Sequence, residues 1–230
     1  VCGETAAGRR GAVRETALRH KMYASFMAKP MEKEPGSAMH IHQSVISTKT
    51  GENIFSNTDG DASSLFYAYI GGLQRFLPAS LSLLAPNVNS YRRLIRYHAA
   101  PINVQWGLDN RTVGLRVPDS GRESRRVENR VPGADANPYL AIAASLACGL
   151  LGMQQKLDPS APVTASAYDM PYELPRSLEQ SLEALEHCDD LKEMLGTRFV
   201  QAWNAVKESE YDTFLQVISS WEREHLLLNV

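Results

Sequence analysis

The sequence predicts an α+β fold in which short antiparallel strands, carrying the polar residues of interest, pack against helices. Three observations lead there. "MHIHQSV" (39–45) alternates apolar and polar residues with period two. Residues 102–109, 112–117 and 124–131 form three further strand-like stretches within one arginine-rich region. "NPYLAIAASLACGLLGM" (137–153) opens with an N-cap asparagine and a proline at the first helical position, then runs apolar on nearly every face, as a buried helix of about twenty residues would.

The other elements follow in chain order. "VCGETAAGRRG" (1–11) has no apolar periodicity and is expected to be an undefined or non-native start, whereas 12–27 places Val13, Ala17, Leu18 and Tyr23 at roughly helical spacing. The glycine-containing "STKTGENIF" (47–55) makes 39–57 a strand pair, and Asp61 is expected to cap a helix starting near Ala62 and stopping before Pro78. A short helix over 79–84 precedes the arginine region. Residues 158–176, marked by prolines, read as a connector. Beyond them "SLEQSLEALEHC" and an amphipathic segment with Phe199, Trp203, Val206, Phe214, Ile218 and Trp221 read as helical scaffold.

At 230 residues with 43% hydrophobic content the chain can bury a sizeable core. A net charge of −2 argues against a nucleic-acid-binding polyelectrolyte, and the longest apolar run is too short to span a bilayer, so no membrane partner is expected and a cytoplasmic location is. The three cysteines, Cys2, Cys148 and Cys188, lack metal or redox spacing and read as packing residues of a reducing compartment.

Residues 90–130 hold nine arginines and no lysine. The guanidinium fork favours two-point contact with carboxylate or phosphate, so the cluster is either an anion site or a solvated strand surface with ion pairs; a nucleic-acid groove would recruit lysines and aromatics as well. In a strand, Arg126, Glu128 and Arg130 share one face, which sets a carboxylate between two cations and keeps it ionised, either as a metal ligand or within a salt-bridge ladder. His40 and His42 also share a face, as an H-x-H metal or phosphate site or as two hydrogen-bonded strand histidines. His20, His98, His187 and His225 have no comparable neighbours.

Taken in order, "KPMEKEPGSAMHIHQS", "NSYRRL", "DNRTVGLRVP", "RRVENR" and "ADANPYLAIAASLACG" resemble the glutamine synthetase family from residue 12 to the C-terminus. The resemblance is to the C-terminal half of the catalytic domain, and the wider sequence is most similar to the γ-glutamylpolyamine synthetase branch. It implies ATP-dependent phosphorylation of the glutamate side chain, followed by displacement of phosphate by an amine. It further implies that His40 and Glu128 hold Mg2+ or Mn2+, that Gly36 and Arg93 engage glutamate, and that Arg130 lies beside the substrate carboxylate and phosphate. Arg111 and Arg116 would meet the nucleotide phosphates or the transferred group as catalytic residues, and His42 and Ser44 would contact ATP.

Ammonia-using members carry a glutamate where this chain has Ala99, two residues before Pro101. That difference favours a larger acceptor such as putrescine or spermidine, with ammonia as the alternative. His98, on the opposite face if the segment is a strand, is not expected to replace the glutamate. The family assembles as ring-shaped homo-oligomers with active sites between subunits. The β-rich N-terminal domain and front half of the catalytic domain are absent from 1–230, so the isolated chain is expected to be inactive. A non-catalytic glutamine synthetase-like module is the reading from another functional class.

Overall fold

The computed structural model describes residues 2–229, with side chains from residue 4 onward. Its centre is a four-stranded sheet of order β1-β4-β3-β2, formed by β1 (Ile41–Gln43), β2 (Trp106–Leu108), β3 (Leu115–Val117) and β4 (Val127–Asn129). β1 and β3 both pair antiparallel to the central β4, while β2 runs parallel to β3. The α+β expectation holds, with a mixed rather than wholly antiparallel sheet. The strands are also shorter than their sequence patterns, because alternation continues into loops whose backbone bonds go elsewhere.

Register sorts the side chains. Ile41 opposes Asn129 and Gln43 opposes Val127, which places these residues on one face; His42 and Arg116 both oppose Glu128 on the other. The first face packs on two long helices, α2 (Ser64–Phe76) and α5 (Pro138–Gln155), around a core that includes Phe55, Phe66, Tyr69, Leu73, Leu115, Val127 and Cys148. Two buried hydrogen bonds fix sheet to helices: Tyr69 Oη donates to Gln43 Oε1 at 2.7 Å, and Asn129 Nδ2 donates to Ser145 Oγ at 2.9 Å. The second face is left for chemistry.

Asn137 caps α5 as expected, its Oδ1 accepting from the amides of Tyr139 and Leu140. One face of α5 is buried, but Tyr139, Leu146 and Leu150 on the other are partly exposed. α2 is capped by Ser63, whose Oγ accepts from the Phe66 amide, and not by Asp61. Between them lie α3 (Leu81–Leu84) and α4 (Val88–Tyr91), the latter an unforeseen turn closed by a capping box of Asn87 and Ser90.

α1 spans Cys2–Arg19, so the helix begins and ends earlier than the one expected over 12–27. Its alanines, glutamates and arginines are good helix formers without an apolar stripe, so propensity outweighed periodicity. The helix ends as Lys21 turns left-handed (φ 58°), leaving 22–27 outside it. The expected strand pair 39–57 is reduced to an Ile46–Asn53 bridge around its turn. Residues 158–176 are a strap rather than a free connector: the Val163 amide donates to Trp106 O, Trp106 Nε1 to Ser160 O, and Asn103 Nδ2 to Ala167 O.

The C-terminal scaffold consists of α6 (Leu178–Glu186), α7 (Asp189–Leu195), α8 (Thr197–Leu215) and α9 (Ser220–Leu226). Phe199 and Trp203 pack on the core, whereas Val206, Phe214, Ile218 and Trp221 are exposed. Cys148 is fully buried between α2 and α5, where desolvation pushes its thiol up to about 12. Maleimide labelling of the native protein, mapped by peptide mass, is therefore expected to modify half-buried Cys188 and spare Cys148 until unfolding. Equal labelling of the two would show that the α2–α5 contact opens. Cys2 lies outside the residues whose side chains are described.

Candidate active site

β4 supplies the centre of the site. Glu128, only 3% exposed, accepts hydrogen bonds from Arg116 Nη1 at 2.7 Å (on Oε2) and Arg130 Nη1 at 3.1 Å (on Oε1), with His40 Nδ1 also 2.8 Å from Oε1. The arrangement follows from register: Arg116 sits across from Glu128 on β3, Arg130 is two residues along β4, and His40 precedes β1. Arg116 also donates to Asp109 Oδ1 at 2.6 Å, and Arg126 Nε donates to His42 Nδ1 at 3.3 Å.

Charge follows geometry. Burial pushes the Glu128 carboxyl upward, yet the Arg116 hydrogen bonds and the charges of Arg130, His40 and His42 hold it below the usual range. Burial, aided by Arg130, lowers His40, so its imidazole is neutral at physiological pH. With Nδ1–H donated to Glu128, Nε2 keeps the lone pair. Imidazole and ionised carboxylate are suitable donors for a divalent cation. Among the described residues no group of three or more His, Cys, Asp or Glu is gathered. His40 and Glu128 therefore fit as two of the ligands of such a cation.

Two orphaned donors mark the anion side. The Nε atoms of Arg116 and Arg130 are buried with no hydrogen-bond partner among the described residues. A buried unpaired donor costs about 1–3 kcal/mol, more when charged, and an oxyanion would remove that cost. The arginine cluster thus mixes both sequence readings: an ion-paired ladder around Glu128 with donors left over for a ligand.

Arg93, 3% exposed, follows α4 and donates to the carbonyls of Val131 and Arg130. Burial lowers it to about 10, so it stays charged at neutral pH. Gly36 lies against its stem, where a Cβ would come within 2.6 Å of both Arg93 Cγ and the Ala28 carbonyl oxygen, so only glycine permits the approach. Arg93 also contributes to lowering His40, which joins this corner to the central cluster.

Gly36, His40, His42, Arg93, Arg116, Glu128 and Arg130 are thus brought together. Ser44, exposed beyond the end of β1, and Arg111, exposed in the β2–β3 loop, make no side-chain hydrogen bond to them. Residues 97–99 form a turn rather than a strand, with Tyr97 (φ 61°) and Ala99 (φ 58°) both left-handed, so strand alternation does not govern His98. Sequence reasoning passed over Asp109, an unpatterned loop acid. It also passed over Asp135, whose Oδ2 accepts from Asn87 Nδ2 at 2.8 Å and Ser90 Oγ at 2.6 Å across more than forty residues, with no local signal.

Comparison with known proteins gives the family. Residues 4–226 match the model of the glutamine synthetase catalytic domain. The chain is 41% identical over 220 residues to gamma-glutamylputrescine synthetase PuuA of Escherichia coli (strain K12), covering 94% of this chain and 46% of that protein. It is 37% identical to glutamate–isopropylamine ligase of a Pseudomonas species over 216 residues (91% and 47%) and 37% identical to glutamine synthetase of Pyrococcus woesei over 219 (91% and 48%). The solved structure described as "Apo GmaS without ligand" superposes with a TM-score of 0.88 at 33% identity, over 99% of this chain and 53% of that one. The chain therefore spans about half the length of the relatives it matches, and it belongs to the glutamine synthetase catalytic-domain family.

Proposed function

We propose that the whole protein is an ATP-dependent glutamate–amine ligase and that this chain is the C-terminal portion of its catalytic domain. The observation that carries the reading is the pair of buried, partnerless Nε donors of Arg116 and Arg130 flanking Glu128. Phosphoryl transfer is mostly positioning and stabilisation of charge on oxygens, and donors already held in place by an ionised carboxylate need little reorganisation.

In this reading His40 and Glu128 would hold Mg2+ or Mn2+, which when bound supplies positive charge to the phosphoryl oxygens. Arg93, fixed by main-chain carbonyls and backed by Gly36, binds the glutamate substrate. Arg130 serves its carboxylate and the transferred phosphate, and Arg116 the transferred group. Arg111, exposed in the β2–β3 loop, adds a guanidinium at the nucleotide phosphates, and His42 and Ser44 line the ATP side.

The acceptor is a polyamine, putrescine or spermidine. Support comes from Ala99, which leaves the acceptor turn without a carboxylate at that position, and from the similarity to gamma-glutamylputrescine synthetase PuuA. The whole protein acts as a ring-type homo-oligomer in the cytoplasm. Ile218, Trp221, Leu227 and Leu228, all exposed, suit burial between subunits, and no described helix is long and apolar enough to cross a membrane.

The test is phosphate release by the whole protein with glutamate, ATP and Mg2+, across ammonium, n-butylamine, putrescine and spermidine. Polyamines are expected to exceed ammonium in kcat/KM by at least about tenfold, since a missing ammonium-binding carboxylate removes a charge-assisted contact. Ammonium as best acceptor would replace the polyamine reading with glutamine synthesis, and silence with every amine would favour a non-catalytic module.

A further inference from the structure

The turn around Ala99 is docked on the strap 168–172. Arg96 Nη2 donates to Met170 O at 2.9 Å, and the Arg96 amide donates to Tyr172 Oη at 3.3 Å. Tyr97 Oη donates to Asp169 Oδ1 at 3.0 Å, and the Tyr97 and Tyr168 rings pack with centroids 5.5 Å apart at 59°. Non-glycine residues held left-handed are strained, and here two of them, Tyr97 and Ala99, stand two residues apart. The result of that strain is an exposed phenol ring, 68% accessible, presented beside a carboxylate.

Tyr168 ties this corner to the candidate active site, because its hydroxyl lies within the electrostatic reach of Arg130. Arg96, the neighbouring cation, donates to the Met170 carbonyl and lies over the face of Tyr172, its centre 5.1 Å from the ring centroid, and its charge also acts on the Tyr97 hydroxyl. Asp169 accepts from Tyr97. An aromatic pair and a carboxylate attract an alkylammonium through ring quadrupole and charge together.

We infer that Tyr97, Tyr168 and Asp169 form a specificity subsite for the distal ammonium of a diamine or polyamine acceptor, whose near amine enters beside Ala99. The inference rests on the amine-ligase reading and assigns its substrate selectivity to named side chains. The aromatic pair lines the methylene chain and the cation, and Asp169 neutralises the charge. A monoamine of equal length lays its chain on the same rings but brings no ammonium to Asp169.

The test compares putrescine with n-butylamine on the whole protein and on Asp169→Asn and Tyr97→Ala variants. Asp169→Asn is expected to raise KM for putrescine by about tenfold, as loss of one charge-assisted contact implies, and to leave n-butylamine kinetics unchanged. Tyr97→Ala, which removes a ring from both chain and cation, is expected to raise KM for putrescine more than for n-butylamine, with partial retention of putrescine selectivity in Tyr97→Phe. An unchanged putrescine-to-butylamine ratio, or equal loss for both amines, overturns the subsite while leaving the ligase reading intact. Silence of the unmutated protein with every amine overturns both.

Discussion

Glu128→Ala is expected to destabilise the protein by about 3–5 kcal/mol and to abolish ligase activity. Glu128 is buried and is the shared acceptor of Arg116, Arg130 and His40, so its removal leaves two guanidinium groups facing each other with only Asp109 as compensation. Removing one partner of a buried ion pair costs about that much because the remaining charge is stranded. Glu128→Gln separates structure from chemistry. It keeps the shape and one acceptor oxygen, so most stability should remain, while activity falls by about 10²–10³-fold through loss of preorganised charge. The Mg2+ concentration needed for half-maximal rate should also rise by about ten- to a hundredfold. Thermal unfolding and steady-state phosphate release measure the two effects. A Gln variant with normal turnover and normal Mg2+ dependence would remove Glu128 from the site.

Gly72→Ala should be among the most damaging small substitutions in the scaffold. A Cβ there would lie 2.3 Å from the Cys148 carbonyl oxygen and 2.5 Å from Gly152 Cα, atoms of the facing backbone that cannot rotate away. α2 and α5 would have to separate along the contact that supports Gln43 and Asn129, hence the sheet. Overpacking of this kind costs about 3 kcal/mol, or roughly 10 °C in Tm for a domain of this size. Gly8→Ala in α1 is the control: nothing lies within 4 Å of its Cβ position, so alanine there should stabilise by about 0.5–1 kcal/mol. If both variants melt with the native protein, the close helix approach is wrong.

The two glycines also show how far a sequence can be read. Gly8 and Gly72 are equally plain as letters, and only the facing helix makes one indispensable. The α5 start was legible because Asn137 and Pro138 act within four residues, and the shared face of Arg126, Glu128 and Arg130 because a strand alternates with period two. α1 was misread since its apolar periodicity is weak while its intrinsic propensity is high. Ala99 was visible as a difference from related enzymes, but its left-handed turn, and with it Tyr97 and Asp169, was not.

By itself the sequence determined the α+β class, the long capped helix, the strand face shared by Arg126, Glu128 and Arg130, and the ordered motifs that carry the family resemblance. All of these depend on residue type and on spacings of a few positions, where backbone geometry fixes what neighbours can do. Only the tertiary structure decided which arginines face Glu128, which donors remain unpaired, that β2 runs parallel to β3, and that Asp169 meets Tyr97. These contacts join residues from nine to nearly ninety positions apart, and such pairing is set by packing of the whole core rather than by any local pattern.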